Sequence, residues 1–278
     1  RLTTVFQMSE EMFFLHYGKD GCNRHVLIDE CRELFGEIYE QIPELPFCNI
    51  WTAMQLSSRL PKRALFHMGV SNTRRCWNMF QLPESVESAC NVGCCGIDGC
   101  VSTLVGASLV NPDRLCYVVV GDLTFFYDLN SLGNHHIGTN LRVMLVNNGR
   151  GTEFRLGIHH CNVFGDDADK YMAAAGHFGN KSPLLVKHYA EDLGFHYLSA
   201  TTKEEFMTAL SNFTNPQLSD HSMILEVFTD SKDESEALYL MSHIQSDAKG
   251  MVRSKLKDAV RNVAGEKGIN AIKKILKK

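Results

Sequence analysis

The fold of this chain is decided by the stretch Cys116-Tyr117-Val118-Val119-Val120-Gly121-Asp122-Leu123-Thr124, an apolar run that ends in a glycine and an aspartate. The run is apolar on both faces, as a strand buried in a parallel sheet must be. A helical pattern over Thr124–Leu132 follows at once. A strand that passes directly into a helix is the repeating unit of α/β folds.

The same alternation recurs through the middle of the chain. The predicted strands are Ala64–Met68, Leu115–Val120, Leu141–Val146, Tyr197–Ala200 and Met223–Phe228. The predicted helices among them are Gly99–Leu109, Thr124–Leu132, Pro183–Leu193 and Lys203–Phe213. We therefore expect an α/β fold built on a doubly wound parallel sheet.

Three segments are predicted along the chain, and the opening Arg1 indicates a piece of something longer. Residues 1–21 are expected to end a preceding domain, with a strand at Leu2–Phe6 and a polar linker. Residues 22–245 form the α/β domain, which starts with helices at Arg24–Gln41 and Trp51–Leu60. Residues 246–278 form a basic helical appendage, because ten Lys/Arg and three Asp/Glu lie from Asp247 to Lys278. Docking on its own protein or a partner subunit is favoured for this tail over membrane or nucleic-acid contact.

Composition excludes several classes of protein. The 278 residues are 44% hydrophobic and 22% charged, which is typical of a globular protein. A net charge of −4 gives no general footprint for nucleic acid. No apolar run approaches the roughly 20 residues of a membrane span. The ten cysteines contain no CxxC pair, so we expect reduced thiols in a cytoplasmic protein.

Two predicted strand ends carry polar groups suited to a phosphate and a cation. Gly121 allows a ligand to approach the backbone closely, and Asp122 follows it. The next strand along the chain ends in Asn147-Asn148-Gly149-Arg150. Ligands collect at the carboxyl ends of strands in such sheets. Carboxylate, amide and carbonyl oxygens are hard ligands that suit Mg²⁺.

Each of these signals has an ordinary structural alternative when it stands alone. Asp122 is also a natural helix N-cap, and Asn-Asn-Gly is also an ordinary turn. Because both follow buried strands, and a glycine precedes the aspartate, together they indicate a metal–phosphate site.

These motifs resemble a known family. Gly121-Asp122 with Asn147-Asn148 resembles the GDG-x(n)-NN signature of thiamine-diphosphate enzymes, with Leu123 in place of the last glycine. The longer strings Gly121–Leu132 and Gly96-Ile97-Asp98-Gly99-x-x-Ser102-Thr103 resemble the C-terminal, diphosphate-binding domain of the menaquinone-pathway 2-succinyl-5-enolpyruvyl-6-hydroxy-3-cyclohexene-1-carboxylate synthases. The resemblance covers roughly Arg24 to Phe228 and implies the thiamine-diphosphate-binding fold.

The resemblance implies a set of site residues for thiamine diphosphate and Mg²⁺. The expected metal ligands are Asp122, Asn148 and the backbone carbonyl of Arg150. The cofactor is expected to lie against Gly121, Leu123, Thr124, Gly96 and Ile97. Ile97 has the position of the apolar wedge that bends the cofactor, with plain core packing as the alternative.

Gly69-x-Ser71-x-x-x-Arg75 resembles the family segment that contacts an anionic substrate. An arginine fork is a natural clamp for a carboxylate. The alternatives are that Ser71 caps the following helix and that Arg75 is a solvated surface residue, with Arg74 as the competing arginine.

Two departures from the family pattern point to a different 2-oxo acid or acceptor. Val92 stands where the family has a substrate-binding arginine. Glu153 takes an apolar position after the Asn-Asn turn, and Arg150 and Arg155 nearby are candidate anion-binding groups.

The resemblance also implies what these residues lack. In this family a glutamate on a separate pyrimidine-binding domain activates the cofactor, and no segment here resembles that domain. We therefore expect no catalytic residue in this chain and no activity from it alone, with Glu153 as the one rival acid. The expected assembly is a homodimer or tetramer that brings in another subunit's pyrimidine domain. The function that the resemblance implies is the diphosphate- and Mg²⁺-binding half of a thiamine-diphosphate-dependent 2-oxo-acid decarboxylase or carboligase. The alternatives are a natural subunit of a split decarboxylase and a non-catalytic α/β binding module.

Overall fold

The computed structural model describes residues 4–18, 26–93, 95–157, 159–168 and 182–244. The chain divides into two compact units, Arg1–Ile42 and Pro43–Lys278. The predicted tail over residues 246–278 lies outside the described residues, and the predicted domain boundaries stay predictions. No helix in the described part of the chain has the length and apolar character to cross a membrane.

The described residues of the first unit form two helices, α1 (Glu10–Tyr17) and α2 (Val26–Glu40). The strand predicted at Leu2–Phe6 is wrong for its described residues, and the expected linker contains α1 instead. Ser9 caps α1 by accepting a hydrogen bond from the Met12 N–H at 3.3 Å. The Phe6 ring lies 5.0 Å from that of Phe13, so the residues before α1 pack on this helix.

The second unit is built on six parallel strands in the order β2-β1-β3-β4-β6-β5. They are β1 (Leu65–Met68), β2 (Glu87–Cys90), β3 (Cys116–Gly121), β4 (Leu141–Asn147), β5 (His196–Ala200) and β6 (Met223–Phe228). The predicted α/β fold with a parallel sheet is confirmed. Strand β2 was not predicted, because an edge strand of sequence Glu-Ser-Ala-Cys is mostly exposed and carries no apolar pattern.

Seven helices and four 3₁₀ segments accompany the strands in the described part of this unit. The helices are α3 (Asn49–Leu56), α4 (Asn72–Trp77), α5 (Cys100–Val110), α6 (Asp122–Asp128), α7 (Leu185–Asp192), α8 (Lys203–Phe213) and α9 (Ser231–Ser242). The 3₁₀ segments are Ser57–Arg59, Leu129–Gly133, Thr152–Arg155 and His160–Asp167. Helix α9 was not predicted, since its buried face includes Glu234 and so interrupts the apolar period.

Both faces of the sheet are covered. Alternate residues of β3 and β4, such as Val118 and Val143, join α5 and α7 in one buried cluster. On the opposite face the Tyr117 ring lies 5.5 Å from that of Phe213 in α8. Gly121 at the end of β3 is in register with Val146. This register places Asp122 beside the Asn147-Asn148 turn.

Candidate functional site

A cavity of about 320 Å³ lies at the carboxyl ends of β3 and β4. Its walls come from the segments that follow β1, β3 and β4, together with Asn49, Cys95 and Ile97. Eight of the predicted site residues line it: Ser71, Ile97, Gly121, Asp122, Leu123, Thr124, Asn148 and Arg150. Gly96 and Arg75, also predicted, are not among the lining residues.

Asp122 is a buried carboxylate at the junction of β3 and α6. Its residue exposure is 2%, and its Oδ1 accepts a hydrogen bond from the Leu123 N–H at 2.7 Å. The N-cap of α6 is Gly121 rather than Asp122. A side-chain atom added to Gly121 would meet nothing within 4 Å. The backbone therefore faces open space directly before the buried carboxylate.

The two adjacent asparagines have different roles. Asn147 is buried, and its Nδ2 donates to Glu226 Oε1 at 2.7 Å. Asn148 lines the cavity, and its Oδ1 accepts from the Arg150 N–H at 3.4 Å in a turn where Gly149 has φ 78°. Asn147 thus anchors the end of β4 to β6, while Asn148 presents its amide to the cavity.

Glu226 is an anchor that the sequence analysis did not find. Its second oxygen accepts from the Tyr197 hydroxyl at 2.7 Å. Burial raises the pKa of Glu226, and the hydrogen bonds from Asn147 and Tyr197 act to lower it. The sequence signal for this anchor is a single carboxylate, Glu226, within the otherwise apolar strand β6.

The donor set suits a hard cation bound together with a diphosphate. One carboxylate, one side-chain amide and the turn at Arg150 lie on a single cavity wall, and oxygen ligands of these types are those that Mg²⁺ takes. Among the described residues no group of three or more His, Cys, Asp or Glu forms a metal cluster. The site would therefore need phosphate oxygens or water to complete its coordination.

An apolar residue also lines the cavity. Ile97 is half-buried and lines the cavity, so it is not a member of the closed core. Gly96 stands beside it. A Cβ on Gly96 would lie 2.7 Å from Asp98 Oδ1, so any larger residue here would displace the exposed Asp98 side chain.

Ser71 lies at the N-cap position of α4, but its hydroxyl makes no capping hydrogen bond. Its backbone has φ 60°, and Cys95 across the cavity has φ 51°. Such conformations cost on the order of 1–3 kcal/mol for non-glycine residues and cluster at ligand-binding sites. Two of the three non-glycine residues with positive φ in the described part of the chain line this one cavity.

Arg75 pairs with Glu153 rather than pointing into solvent. Its Nη1 lies 2.8 Å from Glu153 Oε2, and its Nη2 lies 3.0 Å from Oε1. The hydrogen bond to Glu153 raises the pKa of Arg75. Arg74, the competing candidate, is exposed and lies outside the cavity lining. The side chain of Arg155 lies outside the described residues.

A third buried acid, Glu234, lies next to the cavity-lining residue Asn49. Glu234 Oε1 accepts from the Asn49 N–H at 2.9 Å and from the Thr229 hydroxyl at 2.8 Å. Asn49 Oδ1 in turn accepts from Trp77 Nε1 at 3.0 Å. Burial raises the pKa of Glu234 to about 7. Its partners are distant in sequence, so no local pattern indicated this network.

Several curated proteins are similar in sequence to this chain. The 2-succinyl-5-enolpyruvyl-6-hydroxy-3-cyclohexene-1-carboxylate synthase of Bacteroides fragilis is 34% identical over 196 residues, which is 70% of this chain and 34% of that protein. The synthase of Phocaeicola vulgatus is 34% identical over 245 residues, 85% of this chain and 41% of that protein. That of Christiangramia forsetii is 33% identical over 199 residues, 72% and 33% of the two chains.

These matches cover most of this chain but only part of each relative. The chain spans between 33% and 41% of the length of these three relatives. No family model matches the chain.

Proposed function

We propose, from its homology to the 2-succinyl-5-enolpyruvyl-6-hydroxy-3-cyclohexene-1-carboxylate synthases, that this chain is the diphosphate- and Mg²⁺-binding half of a thiamine-diphosphate-dependent 2-oxo-acid decarboxylase or carboligase. Those synthases are thiamine-diphosphate-dependent enzymes of menaquinone biosynthesis. The observation that carries the proposal is the convergence of Asp122 and Asn148 on one cavity from neighbouring strands. Eight free thiols among the described cysteines suit the reducing setting of the cytoplasm.

In this proposal different residues of the cavity bind the metal, the diphosphate and the apolar part of the cofactor. Asp122, Asn148 and the Arg150 carbonyl hold Mg²⁺, and the backbone at Gly121, Leu123 and Thr124 lies along the diphosphate. Ile97 supports the cofactor from its apolar side. When bound, thiamine diphosphate supplies the electron sink for breaking and forming bonds next to a carbonyl carbon.

The acids that line this cavity are already engaged in other interactions. Asp122 belongs to the proposed metal site, and both oxygens of Glu153 bind Arg75. Proton transfer to the pyrimidine ring requires a carboxylate that can share its proton. We therefore assign this step to a glutamate on a separate pyrimidine-binding domain of another subunit. We propose a homodimer or tetramer of the whole enzyme, in which the pyrimidine-binding domain of one subunit meets the diphosphate site of another.

The test is a calorimetric titration of the full chain with thiamine diphosphate and with thiamine, in Mg²⁺ and in EDTA. We expect measurable binding of the diphosphate in Mg²⁺, with weaker binding in EDTA and in Asn148→Ala. Thiamine should bind weakly in all cases, because it lacks the group that the metal holds. An affinity for thiamine diphosphate that is indifferent to both the metal and Asn148→Ala would contradict the proposal.

A second test concerns the missing activating acid. The chain alone should show no decarboxylation of 2-oxo acids, and activity should appear when a pyrimidine-binding domain is added. Sedimentation of the chain at micromolar concentration should show self-association. A strictly monomeric chain that decarboxylates a 2-oxo acid alone would contradict this assignment.

A further inference from the structure

Three described cysteines lie in the segment that joins β2 to α5. Cys90 ends β2, Cys100 begins α5, and Cys95 lies between them. Cys95 is exposed and lines the cavity at the carboxyl ends of β3 and β4, whereas Cys90 is half-buried and Cys100 is buried. An exposed thiol is the one that a small reagent in solvent reaches first. The proposed function assigns no role to any of the three.

Contacts within the segment connect Cys90 and Cys95 through one turn. The Val92 N–H donates to the Cys90 carbonyl at 2.8 Å, and the Cys95 thiol donates to the Val92 carbonyl at 3.4 Å. Val92 therefore links the two cysteines from both sides. Burial raises the pKa of Cys90, with Arg74 acting to lower it and Cys95 acting to raise it further. Charges affect a pKa in this way at short range, so the two thiols are near neighbours.

Cys100 is poorly placed to join this pair. Its exposure is 0%, and its Sγ lies 4.0 Å from the Gly96 carbonyl oxygen in the first turn of α5. A closed site of this kind keeps a thiol away from reagents in solvent. Cys90 is less enclosed, and its thiol makes only a long contact of 3.8 Å with the Gly69 carbonyl oxygen. Of the two, Cys90 is the one that can react with Cys95.

We propose that Cys90 and Cys95 form a redox-sensitive dithiol, which hydrogen peroxide converts to a disulfide in the wall of the cavity. Dithiols that oxidise transiently are the usual disulfide chemistry of a reducing compartment. A disulfide that is open to solvent is also readily reduced again.

The chemistry balances with hydrogen peroxide as the oxidant. The Cys95 sulfur attacks one peroxide oxygen, the O–O bond breaks, and the leaving hydroxide takes the thiol proton to become water. The Cys90 sulfur then attacks the sulfenic acid on Cys95 and forms the S–S bond, and the hydroxyl leaves with the Cys90 proton as a second water. Two thiols are oxidised to one disulfide, and one hydrogen peroxide is reduced to two waters.

Oxidation alters the wall on which the cofactor is proposed to lie. A disulfide holds its sulfur atoms about 2 Å apart, so each thiol leaves the carbonyl that now accepts from it, Gly69 for Cys90 and Val92 for Cys95. Ile97, two residues after Cys95, lines the same cavity. Resting on the proposed function, the oxidised chain is therefore expected to bind thiamine diphosphate more weakly.

Peptide mapping of the full chain after peroxide treatment tests the dithiol without any cofactor. We expect the peptide that contains Cys90 and Cys95 to lose two hydrogens and to regain them with dithiothreitol. Cys90→Ser and Cys95→Ser should each abolish this loss, whereas Cys94→Ser and Cys100→Ala should keep it. Cys31, an exposed cysteine on α2, is the internal standard for oxidation of a thiol.

Two outcomes of the mapping would overturn the inference. One is a chain in which Cys31 is oxidised and the peptide with Cys90 and Cys95 still carries free thiols. The other is a loss of two hydrogens that persists in Cys95→Ser or disappears in Cys94→Ser, because the disulfide would then join other cysteines.

Calorimetry with thiamine diphosphate and Mg²⁺, on the reduced and the oxidised chain, tests the consequence for the cavity. Oxidation should weaken binding about tenfold or more, and dithiothreitol should restore it. In Cys95→Ser the affinities before and after peroxide should agree within about twofold. An affinity that stays unchanged in a chain shown to carry the disulfide would overturn the inference.

Failure of the inference is distinguishable from failure of the proposed function. A reduced chain that does not bind thiamine diphosphate contradicts the proposed function, whereas the mapping still decides whether the dithiol oxidises. Intact cofactor binding by the reduced chain, without a Cys90–Cys95 disulfide after peroxide has oxidised Cys31, contradicts the inference alone.

Discussion

Two cavities lie at opposite ends of the same parallel sheet. The one at the amino ends of β4, β5 and β6 is larger, about 460 Å³ against about 320 Å³ at the carboxyl ends. Its polar groups tie loops together: Ser222 Oγ donates to the Gly138 carbonyl at 2.8 Å, and His221 Nδ1 lies 3.1 Å from the Gly194 carbonyl. At the carboxyl end, Asp122 and Asn148 face the cavity from two neighbouring strands.

The difference shows that the placement of donors identifies the site better than its size does. Both cavities contain carboxylates: Asp192 and Asp220 at one end, Asp122 and Glu153 at the other. The carboxyl end adds two non-glycine residues with strained backbone, Ser71 and Cys95. Ligands in open α/β sheets bind at this end.

Removing one aspartate from each cavity is the strongest test of which cavity binds the cofactor. Asp122→Ala should weaken Mg²⁺-dependent binding of thiamine diphosphate about 1,000-fold, or about 4 kcal/mol, since it deletes the charged metal ligand. Asp192→Ala, at the amino end, should change the affinity less than about twofold. Calorimetry in Mg²⁺ measures both. Equal losses in the two variants would show that the carboxyl-end cavity has no special role.

The buried acid beneath the carboxyl-end cavity predicts a dependence of stability on pH. Burial raises the pKa of Glu234 to about 7 in the folded chain, above its usual value of 4.5. Below pH 4.5 this group is protonated in both the folded and unfolded states. Between pH 4.5 and 7 the unfolded chain loses the proton first, so the free energy of unfolding falls, by about 3 kcal/mol.

Glu234→Gln should remove this fall while keeping an oxygen to accept from Asn49 and Thr229. Urea unfolding of both proteins at pH 5 and pH 8, without added metal, gives the difference. The variant should gain relative to the wild type as the pH rises. A difference between the two proteins that does not change with pH would refute the assignment.

Glu226, which anchors the end of β4, should have a smaller effect on the free energy of unfolding than Glu234. Glu226→Ala leaves the buried amide of Asn147 and the hydroxyl of Tyr197 without their shared partner, which should lower the free energy of unfolding by about 2 kcal/mol. Glu226→Gln, which keeps the shape and one acceptor, should cost less than half as much. Urea unfolding at pH 7 tests both, and equal losses would mean that packing rather than hydrogen bonding is at stake.

The smallest effect is expected from Ile97, the apolar residue that lines the cavity. Ile97→Ala should weaken thiamine diphosphate binding about fivefold, or about 1 kcal/mol, because it removes apolar surface that the cofactor covers. Its stability should change little, since Ile97 is half-buried. Val92→Ala, an exposed position on the same loop, is the matched control. If Ile97→Ala lowers the stability but leaves the cofactor affinity unchanged, Ile97 is a core residue and does not contact the cofactor.

The sequence was informative where a structure depends on neighbours along the chain. Apolar runs predicted five of the six described strands. The Gly-Asp and Asn-Asn motifs predicted Asp122 and Asn148 as site residues, and both line the cavity. The partners of those motifs come from far along the chain: Glu226 lies 79 residues from Asn147, and Glu153 lies 78 residues from Arg75. Pairs at such separations depend on tertiary packing, so Arg75 was predicted as a substrate ligand and its internal carboxylate was not foreseen.

The most direct test of the central claim is where a metal ion binds. Crystals of the full chain grown with Mn²⁺ and thiamine diphosphate locate the ion by its anomalous scattering. We expect an ion between the Asp122 carboxylate, the Asn148 amide oxygen and the Arg150 carbonyl, in contact with the diphosphate. An ion in the cavity at the amino ends of the strands, or a cofactor bound away from Asp122 and Asn148, would contradict it.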